Sequence, residues 1–170
     1  MDNYLQFVAS TNLKSLLGRG LVTDQIAAIF ELVKNSYDAD AKEVHISFEG
    51  IKSDEPRLII WDNGTGMSLA DIEKKWMVIG TDSKKSKQYS PIFNRALNGD
   101  KGIGRFAVDR LGSRLNLVSV ARNSATEISM SFNWNEFEEK YQNVSDVKIP
   151  YIISRCDKKK TGLYLEIIGL

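Results

Sequence analysis

The stretch ELVKNSYDADA, residues 31–41, decides the reading of this chain. It sets an acid, Glu31, and an amide, Asn35, one helical turn apart, and Asp38 follows on the same stripe. Magnesium takes hard oxygen ligands such as a side-chain carbonyl and shares its other positions with water and phosphate. A carboxylate one turn away is placed to activate a water. An acid and an amide that are merely solvated would look the same, so this segment alone leaves both readings open. Just before and within it, Ile26, Ile29, Phe30, Val33 and Tyr37 recur at helical spacing, giving an amphipathic helix through Asp38. Thr23 is the expected N-cap, with Asp24 and Gln25 in the first turn.

Two later segments carry compatible chemistry. In WDNGTGM (61–67), Asp62 ends the apolar run RLIIW (57–61), expected as a central strand, and precedes the turn Asn63-Gly64-Thr65-Gly66. A carboxylate at the mouth of a sheet accepts a hydrogen bond from an exocyclic amine such as adenine N6. Gly64 and Gly66 let the chain bend and a flat ring approach the backbone. An ordinary Asp-Asn-Gly turn is the alternative, and Met67 suits either a base pocket or the core. In GDKGIGRFA (99–107), Gly99, Gly102 and Gly104 open a helix, where bare amides favour phosphate. This is neither the dinucleotide fingerprint, since no strand feeds Gly99, nor a Walker loop, which ends in Gly-Lys-Ser/Thr. Lys101 either touches phosphate or is solvated.

Around these segments, EVHISF (43–48) alternates as a strand, and Ser68 with Asp71 forms a capping-box signal for a helix over 69–77. Residues 80–101, with Lys84, Lys85, Lys87 and Pro91, are expected as a long connection without regular structure. The helix opened by the third segment stops at Gly112. RLNLVSVA (114–121) and TEISMSFNW (126–134) form an antiparallel hairpin, NEFEEKY (135–141) a short helix, and GLYLEIIGL (162–170) a last strand. Residues 1–22 are expected as an N-terminal arm and 23–170 as one domain; the whole reads as either a compact one-domain protein or an N-terminal fragment of a longer one, the fragment being the favoured reading.

With 42% apolar and 26% charged residues the chain has the composition of a globular protein, and its net charge of +1 supplies no global field for nucleic acid or membrane. Lys84, Lys85, Lys87 and the run Asp157–Lys160 are solvated surface or a local nucleic-acid contact, which steep salt dependence would distinguish. Cys156 is the only cysteine and His45 the only histidine, so neither an internal disulfide nor a zinc site is in reach. No apolar run approaches a membrane span and no signal pattern opens the chain, so the expected address is the cytoplasm.

Taken together, the motifs resemble those of the GHKL ATPases, the superfamily of gyrase B, heat-shock-ninety chaperones, sensor histidine kinases and MutL. The resemblance runs over residues 20–168. It implies an α+β fold of Bergerat type: a two-layer sandwich, its sheet mixed but mostly antiparallel, with helices on one face and a flexible ATP lid. It implies ATP and Mg2+ as cofactors, Glu31 as general base and Asn35 as magnesium ligand, with Asp38 beside them. Asp62 resembles the adenine-binding aspartate, Gly64, Gly66 and Met67 lie in its turn, and Lys101, Gly102, Ile103 and Gly104 match the lid. Thr161-Gly162 resembles the fourth motif, and Thr81 and Lys84 in IGTDSK (79–84) sit where some members contact phosphate.

The implied function is magnesium-dependent ATP binding and slow hydrolysis, driving lid closure and ATP-dependent homodimerisation of a larger multidomain protein. Glu31 resembles the hydrolysing branches. A histidine kinase is a poor match, because the chain has no room for a phospho-acceptor helix. The first motif resembles MutL and chaperone-like members, and the glycine-rich loop the chaperone type. Hydrolysing members usually draw a lysine or arginine from the following domain, so little turnover is expected from these residues alone. Two other readings stand beside this one: a non-hydrolysing nucleotide sensor, which would not need Glu31, and a MutL-like ATPase of nucleic-acid transactions.

Overall fold

The computed structural model describes residues 3–9, 24–79, 89–97, 108–134, 147–157 and 160–170. In chain order its elements are β1 (Tyr4–Gln6), β2 (Val8–Ala9), α1 (Gln25–Asp38), β3 (Val44–Glu49), β4 (Arg57–Asp62) and α2 (Leu69–Asp71). A π-helical turn (Ile72–Trp76) continues α2, followed by β5 (Val78–Ile79), β6 (Arg114–Val120), β7 (Thr126–Asn133), β8 (Lys148–Arg155) and β9 (Gly162–Ile168). Seven strands form one sheet in the order β1-β8-β7-β6-β9-β4-β3. Every neighbouring pair in it is antiparallel. The mixed character expected of the fold rests on a separate two-strand ribbon, β2 parallel to β5.

The two-residue period of the strands explains the layering. Register aligns Leu58, Ile167, Leu115 and Phe132 in one row and Ile60, Leu165, Leu117 and Met130 in the next. These rows face α1 and the α2 segment and share a buried cluster with Ala28, Leu32, Ile72 and Trp76. Burying a Leu, Ile or Phe of this kind contributes about 1.5–3 kcal/mol. The opposite face is polar and aromatic: Arg57 pairs with Glu49 and Glu166, and His45 stacks on Trp61 at 3.9 Å between ring centroids.

The hairpin β6–β7 and the final strand β9 form where the alternation places them. The capping box at Ser68 and Asp71 is also present, and Met77 N–H bonds to Ile72 O (2.8 Å) to close the π-helical turn. Other expectations are corrected. RLIIW lies inside the sheet but one strand from its edge, because β9 inserts between β4 and β6. β8 was not anticipated. It contains Pro150, its only second neighbour is the three-residue β1, and Ile152 and Ile153 are exposed, so its apolar pattern is that of a partly covered strand.

Helix α1 has the expected length but a different cap and buried face. Asp24, not Thr23, caps it, its side chain accepting from Ile26 N–H at 3.0 Å. The buried stripe is Ala28, Leu32 and Ser36, while Ile26 and Phe30 are each 63% exposed. Two of the three buried side chains, Ala28 and Ser36, are small.

The connection 80–101 is also more structured than expected. Its described part, residues 89–97, is bridged between Tyr89 and Ala96 and bonded to the end of α1. At the N-terminus, Tyr4–Gln6 pair with β8, and Leu5 and Phe7 join the core. Residues 10–22 of the expected arm, the start of the helix after Gly102 and the helix expected at 135–141 lie outside the described residues.

Candidate functional site

The site grows from the end of β4, where the buried face of the strand finishes in a carboxylate instead of an aliphatic side chain. Asp62 is only 6% exposed. Its Oδ2 accepts from Ser36 Oγ (2.8 Å), and its Oδ1 from the Gly64 N–H (2.9 Å) and the Leu163 N–H (3.3 Å). An ionised carboxylate has about four acceptor positions, so three donors leave room for another. Burial pushes the Asp62 carboxyl above its ordinary range, and the bonds from Gly64, Ser36 and Leu163 offset this only in part. What the arrangement offers is an oriented, dry acceptor at the mouth of the sheet.

The glycines are there because backbones approach closely. A Cβ on Gly64 would stand 2.7 Å from Ala39 O at the end of α1, and one on Gly66, with φ of +59°, 2.0 Å from Val120 O. A Cβ on Gly162, with φ of +131°, would stand 1.9 Å from Asp62 O. No side chain fits at such distances, so glycine is required at all three. Thr161 precedes Gly162 and is half-buried, which puts the fourth motif against the main chain of the second.

Helix α1 brings the first motif to the same place. Ser36 follows Asn35 directly, and its hydroxyl is the donor to Asp62. Glu31, Asn35 and Asp38 are half-buried, neither core nor fully solvated. The Glu31 carboxylate accepts from Lys34 Nζ at 2.6 Å, a surface i,i+3 pair. Met67 has two roles: its side chain packs on the core, and its N–H and C=O both bond Ser119 Oγ, at 2.8 and 3.1 Å. Among the described residues no group of three or more His, Cys, Asp or Glu forms a metal cluster. A cation here would draw on Asn35, phosphate oxygens and water, the set that suits magnesium. Thr81, Lys84, Lys101, Gly102, Ile103 and Gly104 lie outside the described residues.

Sequence reasoning missed Ser36, Ser119 and the Leu163 amide. Ser119 did leave a signal, as a polar residue in phase with Leu115 and Leu117 on the apolar side of an alternating strand. Ser36 left a weaker one, a small residue in the last turn of a helix. A backbone amide leaves none.

Comparison with known proteins shows the family. Residues 23–162 match the family described as histidine kinase-, DNA gyrase B-, and HSP90-like ATPase. The putative type II restriction enzyme HgiDII of Herpetosiphon aurantiacus is 36% identical over 107 residues, which is 63% of this chain and 16% of that protein. ATPase morc-1 of Caenorhabditis elegans is 31% identical over 151 residues, 85% of this chain and 17% of the relative. DNA mismatch repair protein MutL of Chlamydia felis (strain Fe/C-56) is 25% identical over 118 residues, 69% and 20% respectively. The chain therefore spans a fifth or less of each of these relatives. It belongs to the histidine kinase-, DNA gyrase B- and HSP90-like ATPase family, and it is an ATPase domain.

Proposed function

We propose that this member of the family binds ATP as its magnesium complex, with adenine at Asp62 and the phosphates along the Glu31–Asn35 side of α1. In this reading Asp62 accepts the adenine amine, Asn35 contributes a carbonyl oxygen to the cation, and Glu31 turns from Lys34 to deprotonate the attacking water. Magnesium, when bound, neutralises phosphate charge and fixes phosphate orientation. The observation that carries the reading is the hydrogen bond from Ser36 to Asp62, which joins the first and second motifs at one point. Gly162, pressed against the Asp62 main chain, adds the fourth. Calorimetry with ATP, ADP and a non-hydrolysable analogue, with and without magnesium, tests it. Binding that strengthens with magnesium is expected, and no binding of any of the three would end the proposal.

Within a longer protein the cycle would order the lid, pair two domains and reset them on hydrolysis. The relatives favour one setting for that cycle. Two of them are named a restriction enzyme and a DNA mismatch repair protein, so we assign the whole protein to DNA transactions ahead of chaperoning. A steep fall in DNA affinity of the longer protein with rising salt is the expected sign. A chaperone role would instead show as ATP-dependent suppression of client aggregation without DNA binding. Phosphate release from the longest available protein separates both from a non-hydrolysing sensor.

A further inference from the structure

Helix α1 ends in a way that its own needs do not explain. Ala41 N–H bonds to Ser36 O (3.0 Å) and Asp40 N–H to Tyr37 O (3.1 Å), the paired bonds of a Schellman end. Glycine normally fills the left-handed position of that motif, yet here it is Asp40, at φ of +60° and only 3% exposed. Its carboxylate accepts from Ser90 Oγ, from Ile92 N–H (2.8 Å) and from Phe93 N–H (3.1 Å). The loop holding it is closed on itself by Ser90 N–H to Arg95 O (2.8 Å) and Arg95 N–H to Ser90 Oγ (2.9 Å). Arg95 donates to Ala41 O (2.7 Å) and lies over the rings of Tyr37 and Phe93, 4.7 and 4.9 Å from their centroids.

Both flanks of Asp40 lead to Asp62. On one side Ala39 O accepts from Thr65 N–H (2.8 Å), beside Gly64, whose N–H holds Asp62 Oδ1. On the other, Ala41 N–H holds Ser36, whose hydroxyl holds Asp62 Oδ2. We propose that Asp40, clasped by residues 90–95, is a positioning residue that sets the orientation of the Asp62 carboxylate and so the site's preference for a purine bearing a 6-amine. The inference rests on the ATP reading above. A left-handed aspartate is then retained at a glycine position because its carboxylate fixes a binding geometry.

The test compares affinities of the whole chain for ATP and for purine riboside triphosphate, which lacks the 6-amine, in Asp40→Gly and Ser90→Ala. Glycine preserves the left-handed helix end while removing the carboxylate. The parent is expected to prefer ATP by about tenfold, as for a single hydrogen bond to a charged acceptor. In both variants that preference should shrink to about threefold or less, and Ser90→Thr should restore it. A merely structural role would weaken both ligands alike. The inference falls if the preference is unchanged while faster hydrogen exchange at Ile92 and Phe93 shows the clasp open, or if both affinities drop equally. A parent that binds ATP without preferring it refutes the adenine assignment of Asp62 and this inference together.

Discussion

Asp62 concentrates the chemistry of the site in one side chain whose neighbours are all donors. Exchange for asparagine is nearly isosteric. The amide oxygen can still take the Gly64 and Leu163 N–H groups, and Ser36, already 3.3 Å from Leu32 O, can turn its hydrogen there. Asp62→Asn should therefore fold, but it presents a donor to the adenine amine, and ATP affinity should fall by roughly ten- to a hundredfold. Calorimetry on the folded variant checks this, and parent-like affinity would remove adenine from Asp62. The same substitution reports on burial. The Asp62 carboxyl is raised above its ordinary value in the folded chain, so its proton stabilises the fold below that value, and the contribution vanishes as pH rises through the folded pKa. The stability of Asp62→Asn relative to the parent should thus be most favourable at neutral pH and decline on acidification. Melting temperatures of both proteins across that range measure the trend. Asp40 and Asp71 shift the other way. For each, burial is outweighed by hydrogen bonds and a nearby cation, so their contribution is present at neutral pH and lost as pH falls through their lowered pKa values. Glu31 is half-buried on the same helix as Ser36, and its test is kinetic. Glu31→Ala in the longer protein should bind ATP with parent affinity and turn over about 10²–10⁴-fold more slowly. An unchanged rate at saturating ATP would reassign the base.

Among the elements, the turns between strands hold the site together more than the strands do. Gly162 opens β9 with its α-carbon against the Asp62 main chain, and a methyl group there meets the carbonyl oxygen at 1.9 Å. Gly162→Ala is expected to destabilise the fold by more than about 1 kcal/mol and to weaken ATP binding, since β9 must move off β4 and take the Leu163 amide with it. Denaturant melts and a nucleotide titration on the same sample measure both effects, and a loss of stability alone would detach the fourth motif from the site. The sequence made this element partly legible. Thr161-Gly162 stood out by resemblance, but that the next residue, Leu163, donates its backbone N–H to Asp62 follows from β9 lying between β4 and β6, a pairing of residues a hundred positions apart that no local pattern records. Helix α1 teaches the same at shorter range. Its 3.6-residue period was readable, whereas its buried face was not, because large apolar residues at Ile26 and Phe30 outweigh Ala28 and Ser36 in any hydropathy pattern. β8 escaped for a third reason: an outer strand with Pro150 and two exposed isoleucines carries no clean alternation. The hairpin β6–β7 and the capping box at Ser68 were legible because each depends only on neighbours along the chain.

At the scale of the whole molecule, one domain with one nucleotide site is a weak machine unless its two states differ in what they bind. The relatives are at least five times as long as the stretch they share with this chain, so most of each of them lies outside the ATPase domain. To move an equilibrium from almost all open to almost all paired, ATP must favour the paired state by about 10⁴-fold over the open one. A single hydrogen bond to adenine cannot supply that factor, because adenine is held alike before and after hydrolysis. Contacts to the terminal phosphate must supply it, and they disappear when the phosphate leaves. On the proposed cycle, the whole protein should therefore sediment as a dimer with a non-hydrolysable ATP analogue and as a monomer with ADP or without nucleotide. Glu31→Ala with ATP itself should stay largely dimeric, since the contact-making phosphate is removed about 10²–10⁴-fold more slowly. Sedimentation velocity across these four conditions reads the outcome directly. Equal association with ATP analogue and ADP would mean that the terminal phosphate does not control pairing, and the domain would then act as a nucleotide sensor instead of a hydrolysis-driven switch.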